Sequence, residues 1–168
     1  MRKLAYGMVI ATVSALAGGM SFYYASGSEG VIEASYAFDV TDRGYVAGYA
    51  DTIVVATVDQ VVETQADRQT TLYRVSIEEA LEGDPGRSAV VRQLGYDDGR
   101  DRFVPEDQPM LAEGGSYLLA LTRADGGQYT VIGGPVAATE LTGGSRARIE
   151  DTWRAAVADQ RYPPGVPR

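Results

Sequence analysis

Five carboxylates crowd the stretch "YDDGRDRFVPEDQP": Asp97, Asp98, Asp101, Glu106 and Asp107. Carboxylate oxygens converging at about 2.4 Å are what a hard cation such as calcium needs. The spacing is not that of an EF-hand loop, and Arg100 and Arg102 stand where they neutralise the acids. The stretch therefore reads as a solvated loop serving an interaction surface rather than a metal site. Its candidate contact residues are Asp97, Asp98, Arg100, Asp101, Arg102, Phe103, Glu106 and Asp107.

Paired carboxylates can also run acid–base chemistry. Glu78 and Glu79 adjoin on a predicted strand, so they point to opposite faces and cannot act on one bond. Asp97 and Asp98 could share a cleft, but the sequence offers no apolar wall to raise the pKa of either. Ser116 lies in "GGSYL", not in G-x-S-x-G, and the chain has no histidine and no cysteine. Those two absences remove a Ser-His-Asp triad, a cysteine nucleophile and any thiolate or imidazole zinc site built from this chain alone. "GGQYTVIGG" has glycines but neither the lysine nor the following helix of a phosphate loop, so it is turn chemistry. No catalytic residue, cofactor or metal ligand is assigned.

Charge narrows the partners. The 168 residues carry 23 acids against 15 bases, a formal charge of −8. Arg87, Arg92, Arg100, Arg102, Arg146, Arg148 and Arg154 are interspersed with acids, so no basic groove forms and nucleic acid is excluded as a partner class.

The chain opens with Arg2 and Lys3, followed by a run without charge from Leu4 to Ala25. Its length suits a membrane-spanning helix, and the leading cations place everything after it outside the cytoplasm. Ala15-Leu16-Ala17 fits a signal-peptidase site, which makes the segment a removed signal peptide. Alternatively the helix stays as an anchor, with Tyr23 and Tyr24 at the outer interface. The apolar run continues past the A-x-A site, which favours the anchor. "LAGG" at 16–19 has Gly19 where a lipobox requires cysteine, so it is not a lipoprotein signal.

The elements that would carry the acidic loop follow. "SGSEG" (26–30) is a spacer, and a domain with its helix spans 31–160. Asp42 is placed to cap a short helix bearing Tyr45, Val46 and Tyr49. Residues 52–63 and 70–81 read as a hairpin, 87–94 as a third strand, and 95–110 as a long loop without period. Ser116–Arg123 and Gln128–Ile132 form a second hairpin with Tyr117, Leu119, Leu121, Tyr129 and Val131 facing inward. "PVAATEL" adds an edge strand. Ser145 is the candidate cap of a terminal helix whose Ile149, Trp153 and Val157 face the core, and 161–168 is a frayed tail. "ADTIVVATVDQVVETQ" is apolar on both faces at first and charged later. That suits a strand bending through a small barrel, covered early by barrel and helix and reaching the rim with Val58, Gln60 and Val62 alternating against Asp59, Val61 and Glu63.

The phrases "ADTIVVATV", "YRVSIEEALEGD", "MLAEGGSYLLAL" and "YTVIGG" resemble those of exported bacterial domains. Those domains in turn look like the OB-type barrel of netrin modules and tissue inhibitors of metalloproteinases. The likeness spans Ala50 to about Gly134 and implies a mainly β fold: an OB/netrin-like barrel of five or six strands with a C-terminal helix. The inhibitors chelate zinc through an N-terminal cysteine, for which this chain has no counterpart. The reading is a non-catalytic binding module of the bacterial cell envelope with a protein partner there, anchored through residues 4–25 or secreted. The alternatives are a secreted hydrolase or inhibitor, and a structural component of an envelope complex.

Overall fold

Strands dominate because β-branched and aromatic residues alternate with polar ones over most of the chain. The computed structural model describes residues 29–167, so the apolar N-terminal helix expected over 4–25 lies outside the described residues. Nine strands and two α-helices follow one another: β1 Glu29–Ile32, α1 Arg43–Tyr49, β2 Thr52–Gln65, β3 Thr70–Glu82, β4 Ser88–Leu94, β5 Tyr96–Asp97, β6 Arg102–Pro105, β7 Ser116–Arg123, β8 Tyr129–Val131, β9 Ala138–Glu140 and α2 Arg146–Ala158. β1 begins inside the stretch whose glycines and serines suggest a spacer.

Five strands close into a barrel in the order β2-β3-β4-β8-β7, and β7 pairs back onto β2. The β4–β8 pairing is parallel and the others are antiparallel, an arrangement compatible with an OB-type barrel. β9 lies along β7 beyond β8. Closure matters energetically, since a closed sheet leaves no edge over the closed part and encloses its own core.

That core is the set of inward residues the alternation marks: Val54, Ala56 and Val58 of β2, Tyr73 and Val75 of β3, Val91 of β4, Tyr117, Leu119 and Leu121 of β7, and Tyr129 and Val131 of β8. A second apolar layer covers the outside of β2 and β7. There Ile53, Leu118 and Ala120 pack against Val46 and Ala47 of α1 and Trp153 of α2. The doubly apolar start of β2 is thus buried on both faces, by barrel and by helices. Each such Leu or Ile contributes about 1.5–3 kcal/mol relative to exposure.

The pairing of β2 with β3 departs from simple alternation along its length. The register slips four times, leaving Leu81 and Glu78 unpaired on β3 and Asp59 and Val62 unpaired on β2. Each extra residue inverts the faces beyond it and bends the strand. Val61 therefore joins Val58 on the inner side, opposite Tyr73, while Val62 does not. Leu81, one of the unpaired residues, packs in the helix layer. The slips also bring Glu78 and Glu79 to one side. Glu78 accepts from Thr57 Oγ1 (2.7 Å) and pairs with Arg146 (2.8 Å), while Glu79 pairs with Arg154 (2.6 Å), so both neighbours reach α2. Those pairs are partly exposed, so solvent screens them and they add little to stability.

Asp42 caps α1, accepting from the backbone N–H of Gly44 (2.8 Å) and Tyr45 (3.2 Å). Ser145 sits at the start of α2 without capping it. Its backbone is helical rather than extended, and its hydroxyl donates to the Thr142 carbonyl (3.1 Å). The segment after α2 makes tertiary contacts at its start. Arg161 donates its backbone N–H to Gly44 O (3.0 Å), pairs with Asp42 (2.9 Å) and lies 4.7 Å from the Tyr45 ring centroid. Gly48 makes this possible, since a Cβ there would lie 2.3 Å from Arg161 O. Gly48→Ala is expected to lift the segment off α1 and make 161–168 sensitive to limited proteolysis; unchanged resistance would contradict the contact.

Candidate functional site

The acidic stretch expected to be a loop without period folds back on itself. β5 and β6 form a short antiparallel hairpin, Tyr96 opposite Phe103 and Asp97 opposite Arg102, and β6 pairs in parallel with β1. β5 and β6 are too short to show a period. What holds them is a turn and a strand more than sixty residues away in sequence.

Asp98 closes the turn. Its Oδ1 accepts from the N–H of Asp101 (2.7 Å) and of Arg100 (2.9 Å). Those bonds, that from Asp101 foremost, hold its carboxyl below the usual carboxylate range. Asp97 accepts from Gly99 N–H (3.0 Å), and its other oxygen stands 3.8 Å from Arg102 Nε with both side chains more than half exposed. Arg100 and Glu106 are exposed and Asp101 is half-buried. Phe103 stacks on Tyr96, ring centroids 5.5 Å apart, with Gly30 of β1 pressed against it. Asp107 points the other way and accepts from the Tyr36 hydroxyl (3.1 Å). Burial, then the neighbouring carboxylate, raises the Tyr36 phenol above its ordinary value and keeps it a donor.

The eight residues therefore do not converge on one point. Asp97, Asp98, Arg100, Asp101 and Arg102 share the hairpin end, Phe103 lies beneath it, and Glu106 and Asp107 sit at its base. Asp97 and Asp98 are engaged by their own backbone. Millimolar calcium is accordingly expected to leave the melting temperature unchanged. A site filled a hundredfold above its dissociation constant would add ~2.7 kcal/mol, so a rise of several degrees abolished by Asp98→Asn would reverse this assignment.

Two residues that position the rim are not conspicuous in sequence. Gln93 of β4 is fully buried and Gln108 is 2% exposed. Gln93 Nε2 donates to Pro109 O (2.8 Å), and its Oε1 accepts from Leu111 N–H (2.9 Å). Gln108 Nε2 donates to Ile132 O (2.9 Å) and Gly134 O (2.8 Å). Together they fasten the 108–111 segment across the barrel end. The available signal is alternation: Val91 faces inward, so Gln93, two residues on, must be a polar group in the core. Gln93→Leu keeps the volume but strands the Leu111 N–H and the Pro109 carbonyl. A loss of about 2–4 kcal/mol is expected in urea denaturation, and a neutral result would mean those groups find other partners.

Fastened this way, Met110 and Leu111 border a cavity of about 270 Å³ at the barrel mouth, with Val61, Thr64, Thr71, Tyr73, Asp97 and Arg102. Burial pushes the Tyr73 phenol up to about 12, so it stays neutral there. Beside the cavity, Val61 and Val62 are 41% and 42% exposed, among the most exposed large apolar residues described. Compared with known proteins, the chain matches no family model and no curated protein.

Proposed function

We infer that the chain is a non-catalytic binding module of the bacterial cell envelope, acting outside the cytoplasm through the barrel rim and the β5–β6 hairpin. The observation that carries this is the pair of exposed valines on the end of β2, of which Val61 borders the rim cavity. Apolar residues held out on a rigid strand beside a concavity suit a protein partner. The barrel interior, by contrast, is filled by Tyr73, Tyr117, Tyr129 and aliphatic side chains and offers packing rather than a reaction chamber.

The location rests on Arg2 and Lys3 ahead of the apolar run from Leu4 to Ala25, which anchors or exports the domain. The kinship with netrin modules and metalloproteinase inhibitors rests on the quoted phrases, supported by a barrel of compatible strand order. It does not extend to the inhibitors' zinc-chelating cysteine.

Alkaline phosphatase fused after Arg168 should be active only when residues 1–25 are present. A photo-crosslinking residue in place of Val62 or Arg100 of the full chain should yield an adduct with an envelope protein in living cells. An inactive phosphatase with an active cytoplasmic reporter would overturn the location. Absence of adducts at both positions would overturn the rim as the binding surface.

A further inference from the structure

β2 outruns its barrel neighbour. β7 pairs with it only from Thr52 to Thr57. The chain at Gly114 and Gly115 extends the pairing by one residue, Val58 N–H donating to Gly115 O (2.9 Å) and Gly114 N–H to Val58 O (2.8 Å). Beyond Val58 the strand continues to Gln65 with β3 on one side only. Among the described residues no strand pairs with its other edge, although β5 comes into contact with β2 and Asp97 borders the same cavity as Val61 and Thr64.

At that edge the Val61 N–H is taken by a side chain: it donates to Glu113 Oε1 (2.7 Å). That bond shows the Val61 N–H turned away from β3, toward the open edge, where a partner's main chain can reach it. The Glu113 carboxylate occupies the place where a neighbouring strand's carbonyl would sit. Glu113 is exposed, on the segment leading into β7, and can swing aside.

Resting on the binding-module reading above, we propose that the edge of β2 beyond Val58 receives an extended segment of a partner protein as an added strand. The segment carries an apolar residue flanked by lysine or arginine. Its main chain replaces the Glu113 carboxylate on the Val61 N–H and donates to the Val61 carbonyl, the usual mode of strand addition.

The side-chain pattern follows from the faces. A residue placed opposite Val61 shares its face, which looks into the cavity where Val61, Met110, Leu111 and Tyr73 stand with Thr64, Thr71, Asp97 and Arg102. An apolar side chain fits there. The residues before and after it face the other way. That side holds Glu63, paired with Leu72, and Asp59, which accepts from Ser76 Oγ (2.9 Å). With Glu113 released beside them, three carboxylates meet the flanking positions. Of the cations nearby, Arg74 stands one strand inward opposite Gln60, Arg68 lies in the turn, and Arg102 borders the far side of the cavity, 3.8 Å from Asp97; none belongs to the open edge of β2. A second copy of this chain is the poorer occupant. Antiparallel self-pairing centred on Val61 sets Asp59 against Glu63 of the copy, like charge against like, between molecules of formal charge −8.

The test is selection of a random heptapeptide phage library on the immobilised full chain, followed by affinity measurement with the recovered peptides. Recovered sequences should alternate apolar residues with lysine or arginine. Affinity should fall at least tenfold when the central peptide amide is N-methylated, and at least tenfold in Val61→Pro, whose melting temperature is measured alongside. Should Val61→Pro fail to fold, the N-methylated peptide alone decides. Peptides without the basic alternation, or indifferent to N-methylation, overturn strand addition at this edge. If such peptides bind instead at the β5–β6 hairpin, losing affinity in Arg100→Glu, the binding-module reading survives. Recovery of no peptide at all counts against both.

Discussion

Tyr117→Ala is expected to lose about 3–5 kcal/mol of stability, a large share of the ~5–15 kcal/mol typical of a small domain. The ring is 4% exposed in the barrel interior, and it packs so closely on Gly115 that a Cβ there would lie 2.6 Å from it. Its hydroxyl accepts from Ala112 N–H (3.1 Å), so the residue also ties down the approach to β7. Tyr117→Phe, which removes only that acceptor, should cost about 1 kcal/mol. Thr122→Ala, on the opposite face of the same strand, keeps everything but a long hydroxyl contact to Thr130 O (3.4 Å) and should be nearly neutral. Urea midpoints for the three variants check the ordering. A neutral Tyr117→Ala would mean the aromatic layer does not carry the barrel.

Trp153→Ala should be as damaging, again about 3–5 kcal/mol, through the outer layer. The indole is fully buried between α2, α1 and the outer face of β7, touching a cluster that includes Val46, Leu118, Ala120 and Ala137. Removing it leaves a cavity that two helices and a sheet cannot close together. Trp153→Phe isolates packing from polarity, because the indole N–H is buried without an acceptor among the described residues. Phenylalanine forfeits some volume but relieves that donor, so a cost of only about 1–2 kcal/mol is expected. The chain has no other tryptophan, so unfolding is followed by far-ultraviolet circular dichroism rather than fluorescence. Equal losses for the two variants would show that the N–H has a partner.

Alternation in β2, β3 and β7 assigns the inner face of the barrel residue by residue wherever pairing is regular, because successive side chains must oppose each other. Capping, helical spacing and turn chemistry likewise place Asp42 before α1, Trp153 toward the core, and Gly126 and Gly127 in a turn that uses positive φ at both. These are local matters, and the residues concerned state them directly. What only the tertiary structure decided is register. Asp59, Val62, Glu78 and Leu81 look like ordinary strand residues, yet as unpaired extras they invert the faces beyond them, which moves Val61 to the rim cavity and Glu78 beside Glu79. Nothing within β2 or β3 alone dictates where a ladder must slip, because the slip answers to barrel closure and to helices packing from outside. The β5–β6 hairpin with β1, the anchoring of Arg161 on Gly48 and the Gln93–Gln108 fastening are alike in kind. In each, the energy comes from partners fifteen or more residues away, and the sequence records only small, polar or short stretches whose meaning depends on what the fold brings beside them.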